Sequence, residues 1–259
     1  MNLDDVKCFL LDLDGTFCLG NQLIPGSLDF IDKVLASGRN YMFLTNNSSR
    51  SAHFYVAKLR DFGLQADRSH ILTSGEATCM ACKRHYPGKR VFVLGTDSLV
   101  EEFMEAGIQV SEESPDVVVA GYDTTLSFPK LSRACTLVRS GLPYIATHPD
   151  INCPTEYGFV PDIGPILAYI ESSTGRRPDF IVGKPNPGIV SAACLRTGCS
   201  TNEMAMVGDR LYTDIETGLR SGMLSILVLS GETTEAMLET SQTQPDLKFN
   251  RLADMIPLL

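Results

Sequence analysis

Short apolar runs alternate along the chain with polar segments of helical periodicity. The apolar runs have the length of strands and lie at 6–11, 41–44, 91–95, 117–121, 143–147, 180–184, 204–209 and 225–229. Helices are predicted between them, at about 27–37, through Lys58 and Leu59 to Gly63, near 98–106, near 128–140 and up to Gly175. Alternating strands and helices predict an α/β protein with a doubly wound parallel sheet and right-handed crossovers.

The pattern of the first third of the chain is interrupted and later resumes. A second α/β series begins near Arg90, and an irregular stretch rich in Pro and Gly follows at 148–165. One continuous sheet of ten or so strands would be unusually wide for a twisted open sheet. We therefore predict a core domain formed by residues 1–78 and 179–259, with a smaller domain inserted at 79–178.

Two carboxylates follow the first apolar run, Asp12 and Asp14, with Gly15 directly after them. Because side chains alternate along an extended chain, both acids are expected on one face. The carboxyl ends of parallel strands are where open α/β sheets bind ligands, and paired acids there suit Mg²⁺ better than zinc. The alternative for this fragment alone is a solvated turn that happens to be acidic.

Polar residues of complementary kinds end three further predicted strands. They are Thr45 with Asn46, then Lys184, and finally Asp209 with Asp214. Three acids, a hydroxyl and one cation are the groups that phosphoryl transfer requires, since positioning and charge neutralisation do most of that catalysis. Each has a structural alternative: Thr45 as a helix cap, Lys184 as a solvated loop residue and Asp209 as a turn former.

Composition narrows the class of partner. The chain has 259 residues, of which 44% are hydrophobic, as in ordinary globular proteins. Its formal charge of −9 is scattered, which argues against binding to nucleic acid or to an anionic membrane. An anionic substrate stays compatible, because a bound cation and one lysine can reverse the local field. The acidic segment Met1–Asp5 is unlike a signal peptide and no stretch approaches a membrane span, so we expect a cytoplasmic protein.

Eight cysteines are spread over the whole chain, which is unlike a disulfide scaffold and predicts reduced thiols. Cys79 and Cys82 form a C-x-x-C pair inside a helix that Thr73 or Ser74 is predicted to cap. No second Cys or His pair follows at zinc spacing, so we interpret both as packing residues.

Taken together, the motifs resemble the haloacid-dehalogenase-like superfamily, in particular its NagD-like, p-nitrophenyl-phosphatase branch (subfamily IIA). The resemblance covers essentially the whole chain and rests on Asp12-Leu13-Asp14-Gly15-Thr16, Gly20 with Ile24-Pro25-Gly26, and the segments 43–50, 182–187 and 206–214. It implies a Rossmann-like core with an α/β cap domain inserted between the second and third motifs.

The resemblance also implies roles for the acids. Asp12 is similar to the family's nucleophile, which forms an aspartyl phosphate, and Asp14 to the general acid that later serves as base. Mg²⁺ would be held by the Asp12 side chain, the Asp14 backbone carbonyl and Asp209, while Asp214 would orient a water on the ion.

Phosphoryl oxygens would be held by Thr45, the backbone N–H of Asn46, and Lys184. The further substrate-binding candidates are Gly15, Asn47, Asn186, Asp150 and Asp162. In the family, the cap closes over the site, so 148–152 and the segment from Tyr157 to Pro165 are expected to contact the leaving group.

One position departs from the family pattern. The family often has Pro-Gly-x-Gly in this loop, whereas this chain has Pro161-Asp162-Ile163-Gly164. We hypothesise that Asp162 repels substrates with a second acidic group, such as phosphoglycolate, and accepts a donor from a sugar or nucleoside monophosphate. The alternative is a turn or helix-cap residue facing solvent, and His148 has a similar structural alternative.

The implied function is a Mg²⁺-dependent phosphatase for small phosphomonoesters such as sugar or nucleotide phosphates, with p-nitrophenyl phosphate as a substrate in vitro. Asp14 favours phosphate-ester chemistry, because the related dehalogenases lack an acid there. The alternatives are a phosphotransferase or phosphomutase using the same intermediate, a signalling receiver domain, which needs only about half this length, and a catalytically silent Mg²⁺-dependent binding protein. The expected partner is a small phosphate ester, and a homodimer is left open.

Overall fold

The chain forms two structural units, each with a parallel sheet of its own. The structure is a computed structural model and describes residues 2–155 and 158–259. The first unit contains the chain up to Thr45, Val56–Leu72 and Lys184–Leu259, and the second contains Asn46–Tyr55 and Thr73–Gly183. The domain boundaries predicted from the sequence, at 78/79 and 178/179, stay a prediction.

Fourteen strands and nine α-helices are assigned within the described residues. The strands are β1 (Cys8–Leu11), β2 (Cys18–Leu19), β3 (Gln22–Leu23), β4 (Asn40–Thr45), β5 (Ile71–Thr73), β6 (Val91–Leu94), β7 (Val117–Ala120), β8 (Tyr144–Ala146), β9 (Asn152–Thr155), β10 (Gly158–Pro161), β11 (Phe180–Ile181), β12 (Met204–Gly208), β13 (Leu224–Val228) and β14 (Leu247–Phe249). The helices are α1 (Ser27–Ala36), α2 (Ala52–Asp61), α3 (Ser74–His85), α4 (Asp97–Glu105), α5 (Phe128–Arg139), α6 (Ile163–Thr174), α7 (Pro187–Thr197), α8 (Glu216–Ser221) and α9 (Glu235–Thr240). Short 3₁₀ segments and one π-helix, Leu211–Ile215, connect some of them.

The larger sheet has six strands in the order β14-β13-β12-β1-β4-β5. Strand β1 pairs in parallel with β4 on one side and β12 on the other, with Leu11 opposite both Phe43 and Val207. The chain moves outward from β1 in one direction first and in the other direction later, so the strand order reverses at β1. Such a reversal is where open α/β sheets bind ligands, at the carboxyl ends of the strands.

Apolar burial explains why the central strands form. Every residue of β1, β12 and β13 is buried, as expected for parallel strands covered by helices on both faces. Phe9 of β1 meets Phe30 of α1 edge to face, with ring centroids 5.6 Å apart. The predicted α/β fold with its doubly wound parallel sheet is confirmed.

The smaller sheet has the order β11-β8-β7-β6, and its pairings are parallel. Helices α5 and α6 pack beside it around a core that includes Phe92, Val118, Tyr144 and Ile166. Strands β9 and β10 form a separate antiparallel hairpin, which lies between β8 and α6 in the sequence.

The predicted elements are present in the structure, which also contains elements that were not predicted. Strands β2, β3, β5 and β14 have two or three residues each, too few for a periodic pattern, and helices α7, α8 and α9 were not predicted either. The hairpin β9–β10 lies within the stretch 148–165, predicted to be irregular, because Gly158 and Pro161 are typical of turns and all of β10 is exposed.

The cysteines behave as packing residues. All eight are free thiols, and Cys79 and Cys82 are buried on α3. Burial raises the pKa of the Cys82 thiol to about 12, so this thiol stays protonated and unreactive. Among the helices of the described residues, none combines the length and the apolar character needed to cross a membrane.

Candidate active site

Asp12 extends the central strand by one residue into the crevice. Its backbone N–H donates to the carbonyl oxygen of Val207 at 2.9 Å, which continues the pairing of β1 with β12, and its side chain is nearly buried. The chain then turns at Gly15, whose φ of 93° lies in the left-handed region that glycine adopts without strain. Sheet pairing therefore fixes the position of the Asp12 carboxylate.

Asp209 follows β12 and is enclosed by two glycine-containing loops. A Cβ atom on Gly15 would lie 2.3 Å from Asp209 Oδ2, and one on Gly231 would lie 2.0 Å from the same oxygen. The backbone N–H of Glu232 donates to Asp209 Oδ2 at 2.7 Å. Glycine at both positions leaves room for the carboxylate, which is held in one orientation.

Lys184 joins two of the acids. Its Nζ donates to Asp12 Oδ1 at 2.6 Å and to Asp214 Oδ1 at 2.7 Å, and only 2% of the residue is exposed. The alternative interpretation of Lys184 as a solvated loop residue is therefore wrong. Burial alone would lower the pKa of Lys184, but Asp12 and Asp214 outweigh it and hold this pKa above its ordinary value.

The π-helix Leu211–Ile215 carries Asp214 to this position. Asp214 is completely buried, and its Oδ2 accepts the backbone N–H of Arg210 at 3.1 Å. A Cβ atom on Gly208 would lie 2.2 Å from Asp214 Cγ, so the end of β12 needs glycine for the carboxylate to fit. π-Helical turns occur often at functional sites.

Oxygen atoms of Asp12, Asp209 and Asp214 all lie within 4.8 Å of one another. Burial, then the neighbouring Asp12 and Asp214, raise the pKa of Asp209 to about 8. Burial likewise raises the pKa of Asp214 to about 6, although Lys184 opposes this change. Crowded carboxylates with raised pKa values indicate excess negative charge, which a divalent cation with oxygen ligands would neutralise.

Asp14 differs from these acids in its environment. Its side chain is 47% exposed, and its Oδ1 lies 3.4 Å from Nζ of Lys58 on α2. Lys58 was not among the predicted site residues, because a single lysine inside a helix has no sequence pattern that distinguishes it. The two carboxylates of the Asp-x-Asp motif thus have different surroundings, one buried beside Lys184 and one accessible to solvent.

Thr45 and Asn186 each lie at the end of an element. Thr45 is the last residue of β4, the strand beside β1, and is buried. Asn186 is half-buried and is the N-cap residue of α7, two residues after Lys184. The position of Thr45 matches its predicted place at the end of a strand, whereas no element end was predicted for Asn186.

The remaining candidates belong to the second unit. Asn46 Nδ2 donates to Asp150 Oδ1 at 2.9 Å. Asp162 is the N-cap residue of α6 and is buried, and its Oδ1 lies 2.8 Å from His148 Nε2. The helix-cap alternative for Asp162 is therefore correct, but its expected exposure to solvent is wrong. Asn47 accepts the backbone N–H of Ser49, while Tyr157 lies outside the described residues.

The loop after β13 contains contacts that the sequence analysis missed. Ser230 Oγ donates to the carbonyl oxygen of Gly15 at 2.7 Å, and Arg210 Nε lies 3.1 Å from Glu232 Oε2. The available signal was the polar segment Ser230-Gly231-Glu232 after a predicted central strand, at the same edge of the sheet as Asp12 and Asp209. A segment of three residues is too short to be recognised as part of a site from its sequence.

Comparison with known proteins gives the family. A haloacid dehalogenase-like hydrolase model matches residues 9–109, and a related HAD-hydrolase-like model matches residues 181–255. An acid sugar phosphatase of Staphylococcus aureus is 36% identical over 251 residues, which are 96% of this chain and 96% of that protein. The chain belongs to the haloacid dehalogenase-like hydrolase family.

Solved structures of the family agree closely with this one. A 4-nitrophenylphosphatase from Thermotoga maritima has a TM-score of 0.96 and 47% identity, covering 98% of each chain. NagD from Escherichia coli K-12 has a TM-score of 0.89 and 31% identity, covering 96% of this chain and 98% of that one. The predictions of a haloacid dehalogenase-like hydrolase of the NagD-like branch, and of a phosphatase as the enzyme class, are confirmed.

Proposed function

We propose that this chain is a Mg²⁺-dependent phosphatase that hydrolyses small phosphomonoesters through an aspartyl phosphate on Asp12. The observation that carries the proposal is the buried contact of 2.6 Å between Lys184 Nζ and Asp12 Oδ1, with Asp209 and Asp214 beside it. A carboxylate can attack a phosphate ester only when the negative charge of both groups is neutralised.

In the first step, a carboxylate oxygen of Asp12 attacks phosphorus and the bond from phosphorus to the ester oxygen breaks. Asp14 gives its proton to the leaving alkoxide. In the second step, water attacks the phosphorus of the aspartyl phosphate while Asp14 takes a proton from it, which releases phosphate and restores Asp12. The half-exposed Asp14 suits this role, since it can reach a leaving group and exchange protons with water.

The acids of the site fit a hard divalent ion. In this proposal, the Asp12 side chain, the Asp14 carbonyl and Asp209 would hold Mg²⁺, and the raised pKa of Asp209 indicates the negative charge that the ion would offset. Asp214 accepts hydrogen bonds from Lys184 and from the backbone N–H of Arg210, and in this proposal it would orient a water on the ion. When bound, the ion supplies positive charge beside the phosphoryl group.

Phosphoryl oxygens are assigned to the Thr45 hydroxyl, the Asn46 backbone N–H and Lys184. The positive charge of Lys184 also reduces the electrostatic repulsion between the Asp12 carboxylate and the incoming phosphate. Further candidates for the substrate side of the site are Gly15, Asn47, Asn186 and Asp150.

The names of the relatives suggest the substrate class. Acid sugar phosphatase and 4-nitrophenylphosphatase both denote hydrolases of phosphomonoesters, one with a sugar and one with an aryl leaving group. We therefore propose sugar phosphates as substrates, with p-nitrophenyl phosphate as a convenient assay compound.

The test is phosphate release from a panel of phosphomonoesters with Mg²⁺ or with EDTA, beside Asp12→Asn. The panel contains p-nitrophenyl phosphate, several sugar and nucleoside monophosphates, and phosphoglycolate. We expect turnover that needs Mg²⁺ and is lost in Asp12→Asn, while circular dichroism shows both proteins folded. Transfer of phosphate to a second sugar without release into water would refute hydrolysis and favour a phosphotransferase.

A further inference from the structure

The turn Asn46–Ser49, called here the 46–49 turn, is fixed by several elements of the second unit. The Ser74 hydroxyl donates to the carbonyl oxygen of Asn46 at 2.5 Å, and the Asn46 side chain donates to Asp150 at 2.9 Å. The Thr96 hydroxyl donates to the carbonyl oxygen of the last residue of the turn at 3.0 Å. Such hydrogen bonds hold the backbone of the turn in one arrangement.

A buried chain of hydrogen bonds connects this turn to Asp162. Ser48 Oγ lies 3.0 Å from Thr147 Oγ1, and Thr147 Oγ1 lies 2.9 Å from His148 Nδ1. The opposite ring nitrogen, His148 Nε2, lies 2.8 Å from Asp162 Oδ1. At the other end, the backbone N–H of Tyr122 donates to Ser48 Oγ at 2.9 Å. Ser48, Thr147 and His148 have no exposed surface.

The two ends of the chain determine where its hydrogens lie. Asp162 Oδ1 accepts the backbone N–H of Ile163, so it is also an acceptor towards His148, and His148 Nε2 carries the hydrogen. In the neutral ring Nδ1 then accepts from the Thr147 hydroxyl, which in turn accepts from the Ser48 hydroxyl. Because the oxygen of Ser48 receives the backbone N–H of Tyr122, all donors in the chain have an acceptor.

A second proton on His148 would break this order. Nδ1 would become a donor, the Thr147 hydroxyl would have to donate to Ser48, and the Ser48 hydrogen would lose its acceptor in the chain. A buried donor without a partner is costly. All donors of the chain have an acceptor within it only when the ring hydrogen of His148 lies on Nε2.

We propose that Asp162 is a positioning residue, which acts through His148 and Thr147 to fix the 46–49 turn and thereby the backbone N–H of Asn46. The role of Asn46 in holding a phosphoryl oxygen rests on the function proposed above. Asp162 is itself immobile, because the same Oδ1 accepts the backbone N–H of Ile163 at 2.6 Å and caps α6.

Two other roles for Asp162 make different predictions. His148, Asp150 and Asp162 bring one potential ligand atom each within 4.8 Å, which is the composition of a metal site. Both ring nitrogens of His148 already have hydrogen-bond partners, so a metal would have to replace the Nε2 hydrogen. The second alternative is that the charge of Asp162 repels acidic substrates, in which case removing the charge alone would change selectivity.

Substitutions can distinguish the hydrogen-bond acceptor of Asp162 from its negative charge. Asp162→Ala removes the acceptor, Thr147→Val interrupts the chain, and Asp162→Asn keeps an acceptor for His148 without the charge. Thr136→Val is the matched control, since the Thr136 hydroxyl donates to its own helix at an exposed position. For Asp162→Ala and Thr147→Val we expect kcat/KM to fall, and the inhibition constant of inorganic phosphate to rise, roughly tenfold.

Asp162→Asn should restore most of that loss, and Thr136→Val should match the wild type. Wild-type phosphate inhibition in both Asp162→Ala and Thr147→Val would overturn the proposal. A tenfold change in Asp162→Asn confined to substrates with a second acidic group would overturn it in favour of charge selection.

A measurement independent of turnover examines the hydrogen-bond chain. Long-range proton–nitrogen correlation spectra of ¹⁵N-histidine-labelled protein at pH 7.5, assigned with His148→Gln, should show His148 as the neutral Nε2–H tautomer. A doubly protonated ring, an Nδ1–H tautomer, or a stoichiometric bound metal that His148→Gln removes would each refute the inference. Absence of phosphatase activity in the wild type would instead refute the proposed function, whatever the tautomer.

Discussion

Lys184 Nζ lies 2.6 Å from Asp12 Oδ1, and both residues are buried. The two are 172 positions apart in the sequence and meet at the carboxyl edge of the larger sheet. Because the same ammonium also contacts Asp214 at 2.7 Å, one cation compensates two buried carboxylates. Charge balance in this site therefore depends strongly on Lys184.

Replacing Lys184 with methionine should impair both stability and turnover. The variant leaves two buried carboxylates without their cation, which we expect to lower the free energy of unfolding in EDTA by about 3 kcal/mol. Urea denaturation checks this value. The control is Lys248→Met, since the pair of Lys248 with Glu235 is largely exposed and should contribute less than about 1 kcal/mol. An equal effect of both substitutions would contradict the account.

Binding of Mg²⁺ to the metal-free protein should release protons. Burial and the neighbouring Asp12 and Asp214 raise the pKa of Asp209, so this carboxyl holds a proton at higher pH than usual and must ionise to bind a cation. We expect protons to be released at pH 7 and fewer at pH 9, because more of the cluster is then already ionised. Calorimetric titrations in buffers of different ionisation enthalpy measure this number. No difference between buffers at pH 7 would refute the assignment.

The stability of the metal-free protein should fall between pH 5 and pH 8. For an acid whose pKa is raised on folding, from 3.8 to about 8 for Asp209, the contribution is fully present below pH 3.8 and is lost as the pH rises through 8. Thermal unfolding in EDTA across this range checks the sign. Asp209→Asn should flatten the slope, and saturating Mg²⁺ should reverse it, since the ion binds the ionised site. A slope equal to the wild type in Asp209→Asn would argue against Asp209 as its source.

Gly231→Ala should weaken metal binding more than folding. The added Cβ atom would lie 2.0 Å from Asp209 Oδ2, so the carboxylate must move. We expect an affinity for Mg²⁺ reduced roughly tenfold or more, measured by calorimetry, which corresponds to about 1.4 kcal/mol. Gly95→Ala is the matched control, since its Cβ atom would meet the Leu99 side chain at 2.7 Å, away from the acids. Equal loss of metal affinity in both variants would point to a general loss of structure.

The sheet and the acids of the first motif could be predicted because their signals are local. Asp12 follows a fully apolar run, and parallel pairing places the ends of neighbouring runs at one edge, which brings Asp209 within reach. The burial of Lys184 could not be predicted, since a loop lysine is normally solvated and only the partners Asp12 and Asp214 explain its burial.

Other features depend on contacts between distant segments. Gly231 lies close against the Asp209 carboxylate, and the backbone N–H of Glu232 donates to it. Neither contact leaves a pattern in the sequence. Asp162 has the expected N-cap position, but its burial follows from His148, fourteen residues earlier in the chain. Local propensity indicates a cap there and carries no information on such a partner.

Chemical trapping can show whether the phosphoryl group is transferred to Asp12 during turnover. Asp14→Asn should slow hydrolysis of the aspartyl phosphate, so that this intermediate accumulates during turnover of p-nitrophenyl phosphate. Borohydride can then reduce the acyl phosphate and so capture it. The account predicts homoserine at position 12 by peptide mass spectrometry, dependent on substrate and Mg²⁺, and none in Asp12→Asn. Turnover without reduction at position 12, or reduction at a different acid, would contradict it.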